Sequence, residues 1–190
     1  MSLERTQINF AHHVVNWINE IIKEEGLKFR GAEPELKEAG VRRDRRRSKR
    51  PDVVLFDAGG RPALIIEVWD PSVDPWDYAV EVMGKAGAVG TPYFAVWNVT
   101  DFYSWSVAPP NKNILEKLWW PHAGVREHVC QARNYEEAVE KYRDAIKDYL
   151  RVFLREFEKI YYGVKELPLL NIDERFIYRL RSKIYTLSTP

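Results

Sequence analysis

Cysteine is almost absent from this chain of 190 residues, which contains only Cys130. A single cysteine cannot form an internal disulfide, and it cannot supply the paired thiolates of a cysteine-based zinc site. No apolar run approaches the roughly 18 residues of a membrane-spanning helix, and the first residues do not resemble a signal peptide. The sequence therefore predicts a cytoplasmic protein that has no membrane partner.

Other absences exclude several kinds of enzyme site. No glycine-rich phosphate-binding loop opens a predicted helix, which argues against nucleotide binding of that kind. Ser104 and Ser106 lack the flanking glycines of a nucleophile elbow, so a hydrolase triad has no support. His12 and His13 are adjacent in a predicted helix and therefore project to different sides of it. They cannot chelate one metal ion together without strain.

The residues that are abundant describe a globular domain. The chain is 45% hydrophobic and 30% charged, and it contains 7 Trp, 10 Tyr and 8 Phe. This composition supplies a sizeable apolar core and excludes a disordered chain. Only two glutamines and one cysteine accompany the many charged residues. That bias favours an organism that lives at high temperature.

Positive charge is concentrated in one short segment, although the net charge of the whole chain is only +1. Residues 42–50 hold seven cations and the single anion Asp44. The cations are Arg42, Arg43, Arg45, Arg46, Arg47, Lys49 and Arg50. Because one guanidinium group can bind two phosphate oxygens in bidentate fashion, we expect this basic run to contact nucleic acid. The alternative is a solvated loop or a contact for an acidic partner.

Hydrophobic periodicity predicts an alternation of helices and strands in the first part of the chain. Apolar residues at steps of three and four predict a helix over 5–25. The predicted strands cover 53–56, 63–69, 93–97 and 102–105, the last of them at a sheet edge. The Gly59-Gly60 turn makes the first two of these a hairpin. Asp74 is expected to cap a helix that runs to about Val89.

Two glycines interrupt the pattern of this last helix. Gly84 and Gly87 each cost about 1 kcal/mol relative to alanine in a helix interior. We therefore expect them to allow close packing of the helix on the sheet.

After residue 109 the hydrophobic pattern changes, and the segments that follow are long and amphipathic. Asn134 with Glu137, and Asn171 with Glu174, have the spacing of capping boxes, and each predicts the start of a helix. We therefore expect two parts: an α/β core over 1–108 and a helical extension over 109–190. The extension would pack on the core or on a second subunit.

Two acids occupy informative places in the predicted hairpin. Asp52 begins one strand directly after Pro51, and Glu67 comes late in the next strand, within an apolar run. A buried carboxylate is costly unless a cation neutralises it. Two hard oxygen ligands on rigid strands, with open positions for water, are what Mg²⁺ requires. Paired strands would bring Asp52 and Glu67 together as a metal site.

These acids lie in segments that resemble the PD-(D/E)XK nuclease superfamily. The similarity is greatest to the N-terminal nuclease domains of type I restriction subunits and related restriction-modification proteins, and it covers roughly residues 5–106. The segments that carry it are 50–55 (RPDVVL), 63–68 (ALIIEV) and 90–98 (GTPYFAVWN).

The resemblance implies a restriction-endonuclease-like fold: a helix, a mixed central sheet and a second helix, here with an added C-terminal helical layer. It implies a DNA endonuclease in which Asp52 and Glu67 hold Mg²⁺ or Mn²⁺. Cleavage of both DNA strands usually requires two active sites, so a homodimer is plausible. Other restriction-modification subunits are further candidate partners.

The chain departs from the family where a lysine should stand. Two residues after the glutamate, the family has a lysine that activates water and stabilises phosphate charge, whereas this chain has Trp69. An indole N–H is only a neutral donor. The family's helix often carries Gln and Tyr at positions that hold Glu81 and Lys85 here. Lys85 could be a relocated catalytic amine with Glu81 as a further carboxylate, or the two could form an ordinary surface pair.

The family's first helix also commonly supplies an acid. Glu4 and Glu20 are the candidates, and we favour Glu20 as a catalytic residue because it continues a polar face of the helix. Lys37 is another possible amine.

Two alternatives to an endonuclease remain open. The first is a catalytically silent nuclease-fold module that binds DNA or protein, which Trp69 favours. The second is an oligomerisation scaffold built on the C-terminal helices, in which the basic run binds an acidic partner.

Overall fold

The computed structural model describes residues 3–34, 51–91, 93–107, 118–119 and 127–163. In chain order its elements are α1 (Leu3–Glu25), β1 (Gly31–Pro34), β2 (Val53–Phe56), β3 (Pro62–Val68), a 3₁₀ helix (Pro75–Tyr78), α2 (Ala79–Val89), β4 (Tyr93–Trp97), β5 (Asp101–Val107), β6 (Leu118–Trp119), β7 (Glu127–His128), α3 (Tyr135–Lys141) and α4 (Arg143–Tyr161). The basic run 42–50, Lys37 and the predicted helix after Asn171 lie outside the described residues.

The strands form one mixed sheet in the order β1-β2-β3-β4-β5-β6, with β7 also paired to β5. β3 and β4 are parallel, and the other neighbours are antiparallel. A parallel pair needs a crossover connection, which α2 provides between β3 and β4. The hairpin of β2 and β3 closes at a turn in which Gly60 has φ +78°. The predicted hairpin is confirmed.

Helices cover both faces of this sheet because its central strands are apolar on both sides. α1, α3 and α4 pack on one face, around Leu64, Ile66 and Val68 of β3. α2 packs on the other face, around Ile65 of β3 and Val96 of β4. Alternate residues of a strand point to opposite faces, so Glu67 lies on the α2 face with Ile65. The predicted α/β architecture is confirmed.

α2 begins through a short 3₁₀ turn, not as one continuous helix. The Asp74 side chain accepts a hydrogen bond from the Trp76 backbone N–H, and Pro75 occupies the first helical position. Both features stabilise a helix start. Gly90 ends α2 with φ +84°, in the left-handed region that glycine adopts readily. The predicted limits of this helix are confirmed, and they fix the position of Lys85.

The C-terminal helices pack against α1 of the same chain. The predicted single helix after Asn134 is divided at Tyr142 into α3 and α4. α4 buries one apolar face, which includes Leu150, Phe153 and Phe157. At its rim Arg151 lies 3.0 Å from Glu24. These contacts make α4 the outer layer on the α1 face of the sheet.

Two further features differ from the expectations that the sequence raises. β5 is not an edge strand, because β6 and β7 pair with its outer side. These two strands belong to the segment after residue 109, so the sheet continues into the predicted extension. Close packing at Gly84 and Gly87 is also not found among the described residues, because a Cβ at either position would meet none of their atoms within 4 Å.

In the part of the chain that the structure describes, no helix is both long enough and apolar enough to cross a membrane.

Candidate functional site

Asp52 and Glu67 converge at one end of the β2–β3 hairpin. Val53 pairs with Ile66 in the antiparallel register, so continuing that register by one residue sets Asp52 across from Glu67. Directly opposed residues of an antiparallel pair share a face of the sheet. Burial raises the Glu67 pKa, and the nearby charge of Asp52 raises it further. The structure therefore brings the two predicted carboxylates together.

The Asp52 carboxylate is held by residues on both sides of it. Its Oδ2 accepts a hydrogen bond of 2.9 Å from the Val68 backbone N–H. The same oxygen accepts a hydrogen bond of 3.3 Å from Gln7 Nε2 of α1. Gln7 Nε2 also donates to the Val68 carbonyl at 2.6 Å. The acid that precedes β2 is thereby joined to the end of β3 and to α1.

Lys85 reaches Glu67 from the other element on this face. Its Nζ lies 2.7 Å from Glu67 Oε2, and the Lys85 side chain is 12% exposed. The same Nζ lies 3.8 Å from Glu81 Oε1, one helical turn earlier. Lys85 is therefore a largely buried amine at the acidic pair, not part of an isolated surface pair with Glu81.

Glu67 is a carboxyl in an unusually unfavourable place for a negative charge. Burial, with a smaller contribution from Asp52, raises its pKa to about 8 even though Lys85 acts in the opposite direction. Lys85 bonds only Oε2. Within the described part of the chain, the buried Oε1 has no hydrogen-bond partner. A buried acceptor without a partner costs about 1–3 kcal/mol, so this oxygen is suited to receive a ligand.

Trp69 stands where the resemblance leads us to expect a lysine, and its ring packs against a neighbouring ring. Its ring stacks on Tyr78 with the centroids 3.9 Å apart. Its backbone N–H donates to the Trp97 carbonyl and so extends the pairing of β3 with β4. The indole fills the position beside the acids without supplying charge.

The other predicted catalytic acids lie at different distances from this centre. Glu81 is 56% exposed, and its Oε1 lies 3.8 Å from Lys85 Nζ at the edge of the centre. Glu20 is not brought to the centre. Its carboxylate bonds Lys147 of α4 at 2.8 Å, and this hydrogen bond lowers the Glu20 pKa. Glu20 follows Gln7 by 13 residues, which is about 20 Å along a helix.

Gln7 is the residue of this centre that sequence reasoning missed. The family resemblance points to an acid on the first helix, which favours Glu4 and Glu20, and Glu4 lies outside the residues whose side chains the structure describes. A weak signal existed, since glutamine is rare in this chain and Gln7 lies on a predicted helix. Its contact with Asp52 depends on tertiary packing, which periodicity does not reveal.

With this geometry in place, known proteins provide a comparison of the fold. The sequence matches no protein-family profile and no curated protein. The structure is similar to that of the type IIG restriction endonuclease BpuSI, with a TM-score of 0.53 and 13% sequence identity. The chain has a restriction-endonuclease-like fold. The match covers 82% of this chain and 17% of the other, so the chain spans about a sixth of that enzyme.

The oxygen atoms at the centre fit a small divalent cation. Among the described residues, no group of three or more His, Cys, Asp and Glu side chains could hold a metal ion. Mg²⁺ does not require such a cage, because it commonly binds one or two carboxylates and keeps several waters. Asp52, Glu67 and the Val68 carbonyl provide hard oxygens, and Glu67 Oε1 is a buried acceptor that has no hydrogen-bond partner among the described residues. The donor set agrees with magnesium or manganese.

Proposed function

We propose that this chain is a Mg²⁺- or Mn²⁺-dependent DNA endonuclease domain that belongs to a restriction-modification system. Asp52 and Glu67 would hold the cation, and Lys85 would be the catalytic amine. The observation that carries this proposal is the 2.7 Å contact between Lys85 Nζ and Glu67 Oε2. A restriction-endonuclease-like fold supports it, as does a run of seven cations in residues 42–50.

Each residue has a definite chemical task in this proposal. A bound cation supplies Lewis-acid polarisation of the scissile phosphate and acidifies a water molecule. Asp52 and Glu67 contribute the negative charge that retains the cation. Lys85 carries three N–H donors, with which it stabilises the charge that develops on the phosphate oxygens or orients the attacking water.

The position of Lys85 explains how Trp69 is compatible with catalysis. Residues 67 and 69 point to the same face of the strand, and α2 covers that face. An amine on α2 can therefore occupy the space that a strand lysine would reach. Cation binding at Glu67 would weaken its bond to Lys85 and make the ammonium available to phosphate.

Nicking of supercoiled plasmid by the purified chain tests this function. We expect nicking that needs Mg²⁺ or Mn²⁺ and that falls at least about 100-fold in Asp52→Asn, Glu67→Gln and Lys85→Met. Lys147→Met is the matched control, since Lys147 makes a comparable 2.8 Å bond to Glu20 away from the centre. Equal nicking by Lys85→Met and Lys147→Met would refute the role of Lys85.

The second candidate function is a catalytically silent DNA-binding module, which Trp69 favours. In that case no variant and no cation would produce nicking, while the chain would still bind DNA with an affinity that falls steeply with salt.

A further inference from the structure

Gln7 of α1 makes two hydrogen bonds beside the proposed cation site, and it has no task in the proposed reaction. Its Nε2 donates to the Val68 carbonyl at 2.6 Å and to Asp52 Oδ2 at 3.3 Å. Both partners are acceptors, so the amide nitrogen must face them and the amide oxygen must face away. A carboxylate at position 7 would repel both oxygens. The site thus uses a neutral donor at this point on α1.

The contact closes a small ring of hydrogen bonds around Asp52. Asp52 Oδ2 accepts from the Val68 N–H at 2.9 Å, and Gln7 binds both that oxygen and the Val68 carbonyl. Asp52 precedes β2, whose ladder with β3 begins at Val53. The contacts with Val68 and Gln7 contribute to the orientation of the Asp52 side chain.

We propose that Gln7 is a positioning residue that holds the Asp52 carboxylate and the Val68 carbonyl in the orientation that binds the divalent cation. This inference rests on the proposed function. Ligands that are already oriented lose less conformational freedom when the cation binds, so the effect of Gln7 appears in cation affinity. Partners of metal ligands typically change metal affinity by 10- to 100-fold when they are removed.

Calorimetric titration with MnCl₂ tests this role without any reaction. Gln7→Met keeps the length of the side chain and removes the donor, and Gln7→Ala provides a second variant in case Met is not tolerated. We expect either variant to bind Mn²⁺ about 10- to 100-fold more weakly than the parent chain. Gln131→Met is the matched control because Gln131 is the other glutamine and is exposed, and it should bind as the parent does.

Two further measurements distinguish positioning from a general loss of stability. In metal-free protein, Gln7→Met should speed hydrogen exchange at the Val68 amide and leave the Val96 amide of β4 unchanged. In plasmid nicking, it should raise the Mn²⁺ concentration for half-maximal rate by the same factor as the binding constant, with the saturated rate within a few-fold of the parent. A lower saturated rate without that rise would overturn the inference.

The outcomes also separate this inference from the proposed function. If the parent chain binds no Mn²⁺, the proposed cation site fails. If the parent binds Mn²⁺ and Gln7→Met binds it equally well, the role of Gln7 fails while the cation site stands.

Discussion

At the scale of single residues, the centre combines an unusual tryptophan with an amine from a neighbouring helix. Trp69 follows Glu67 by two residues, and Lys85 lies 2.7 Å from Glu67. The proposed chemistry requires an ammonium group near the phosphate, but it does not require a particular element to carry that group. A lysine at position 69 should therefore compensate in part for the loss of Lys85.

This exchange can be tested by plasmid nicking with double variants. We expect Trp69→Lys in the Lys85→Met background to recover at least about tenfold of the lost rate, since it restores an amine on the same face. The recovery should be incomplete, because removing the Trp69–Tyr78 stack also costs about 0.5–1.5 kcal/mol. Trp69→Met in the same background removes the indole without adding an amine. Equal rates for the two double variants would contradict the exchange.

The buried carboxyl of Glu67 should make the stability of the metal-free protein depend on pH. Its pKa rises from 4.5 to about 8 on folding, so between these values the folded state holds more protons than the unfolded state. The contribution of Glu67 to the free energy of unfolding is therefore fully present below about pH 4.5, and it is lost as the pH rises from 4.5 to about 8. In denaturant unfolding with EDTA, the stability of Glu67→Gln relative to the parent chain should therefore increase between pH 4.5 and 8. The increase in its free energy of unfolding should be on the order of a few kcal/mol.

The exposed Glu81 serves as the control for this measurement. Glu81→Gln should show no such gain, because the Glu81 side chain is 56% exposed. If Glu67→Gln and the parent had the same pH dependence, Glu67 would not be the buried acid that the structure describes.

At the scale of secondary-structure elements, the sequence predicted those features that depend on local pattern. The β2–β3 hairpin follows from two apolar runs joined by Gly59-Gly60, but the register shifts between Leu55 and Phe56, so the turn alone does not set the pairing at the far end of the hairpin. The cap at Asp74 and the stop at Gly90 fixed α2 and therefore Lys85. The convergence of the two acids in one hairpin could thus be anticipated, whereas the exact register that sets Asp52 across from Glu67 could not.

Features that depend on tertiary packing could not be predicted in this way. The break at Tyr142 falls within an amphipathic pattern that suits one continuous helix. The position of β5 inside the sheet depends on two-residue strands, which carry no periodicity of their own. The way α1 packs on the sheet brings Gln7 to Asp52. It also leaves Glu20 away from the centre, in contact with Lys147.

The two glycines of α2 yield a stability prediction for this element. Glycine within a helix costs about 1 kcal/mol relative to alanine, and a Cβ at Gly84 or Gly87 would meet no atom of the residues that the structure describes within 4 Å. We expect Gly84→Ala and Gly87→Ala each to raise the free energy of unfolding by about 0.4–1 kcal/mol. Thermal unfolding of the purified chain measures this. A loss of stability would mean that another surface packs closely on this face.

At the scale of the whole molecule, charge is distributed unevenly along the chain. The segment 42–50 carries seven cations, whereas the net charge of the chain is only +1. On the face formed by α1 and α4, several cations form ion pairs, as Arg155 does with Glu25 and Lys147 with Glu20. Contact with a polyanion is therefore expected to depend mainly on the basic run.

The salt dependence of DNA binding tests this expectation. Reversing Arg45 and Arg46 together to Glu should weaken DNA binding and reduce the slope of log affinity against log salt by about 1 for each phosphate that the protein no longer binds. Arg133 and Arg143, both exposed, can be reversed in the same way as a control of equal charge change. An unchanged slope after the change at 45 and 46 would exclude the basic run as the phosphate-binding segment.

The central claim is that carboxylates from neighbouring strands hold one divalent cation at the end of the sheet, beside an amine from α2. Anomalous diffraction from a crystal of this chain soaked in MnCl₂ measures this directly. We predict a manganese peak bound by Asp52 and Glu67, with Lys85 Nζ moved from its 2.7 Å contact with Glu67. A crystal that shows no manganese at these carboxylates, with the Lys85–Glu67 contact intact, would contradict the account.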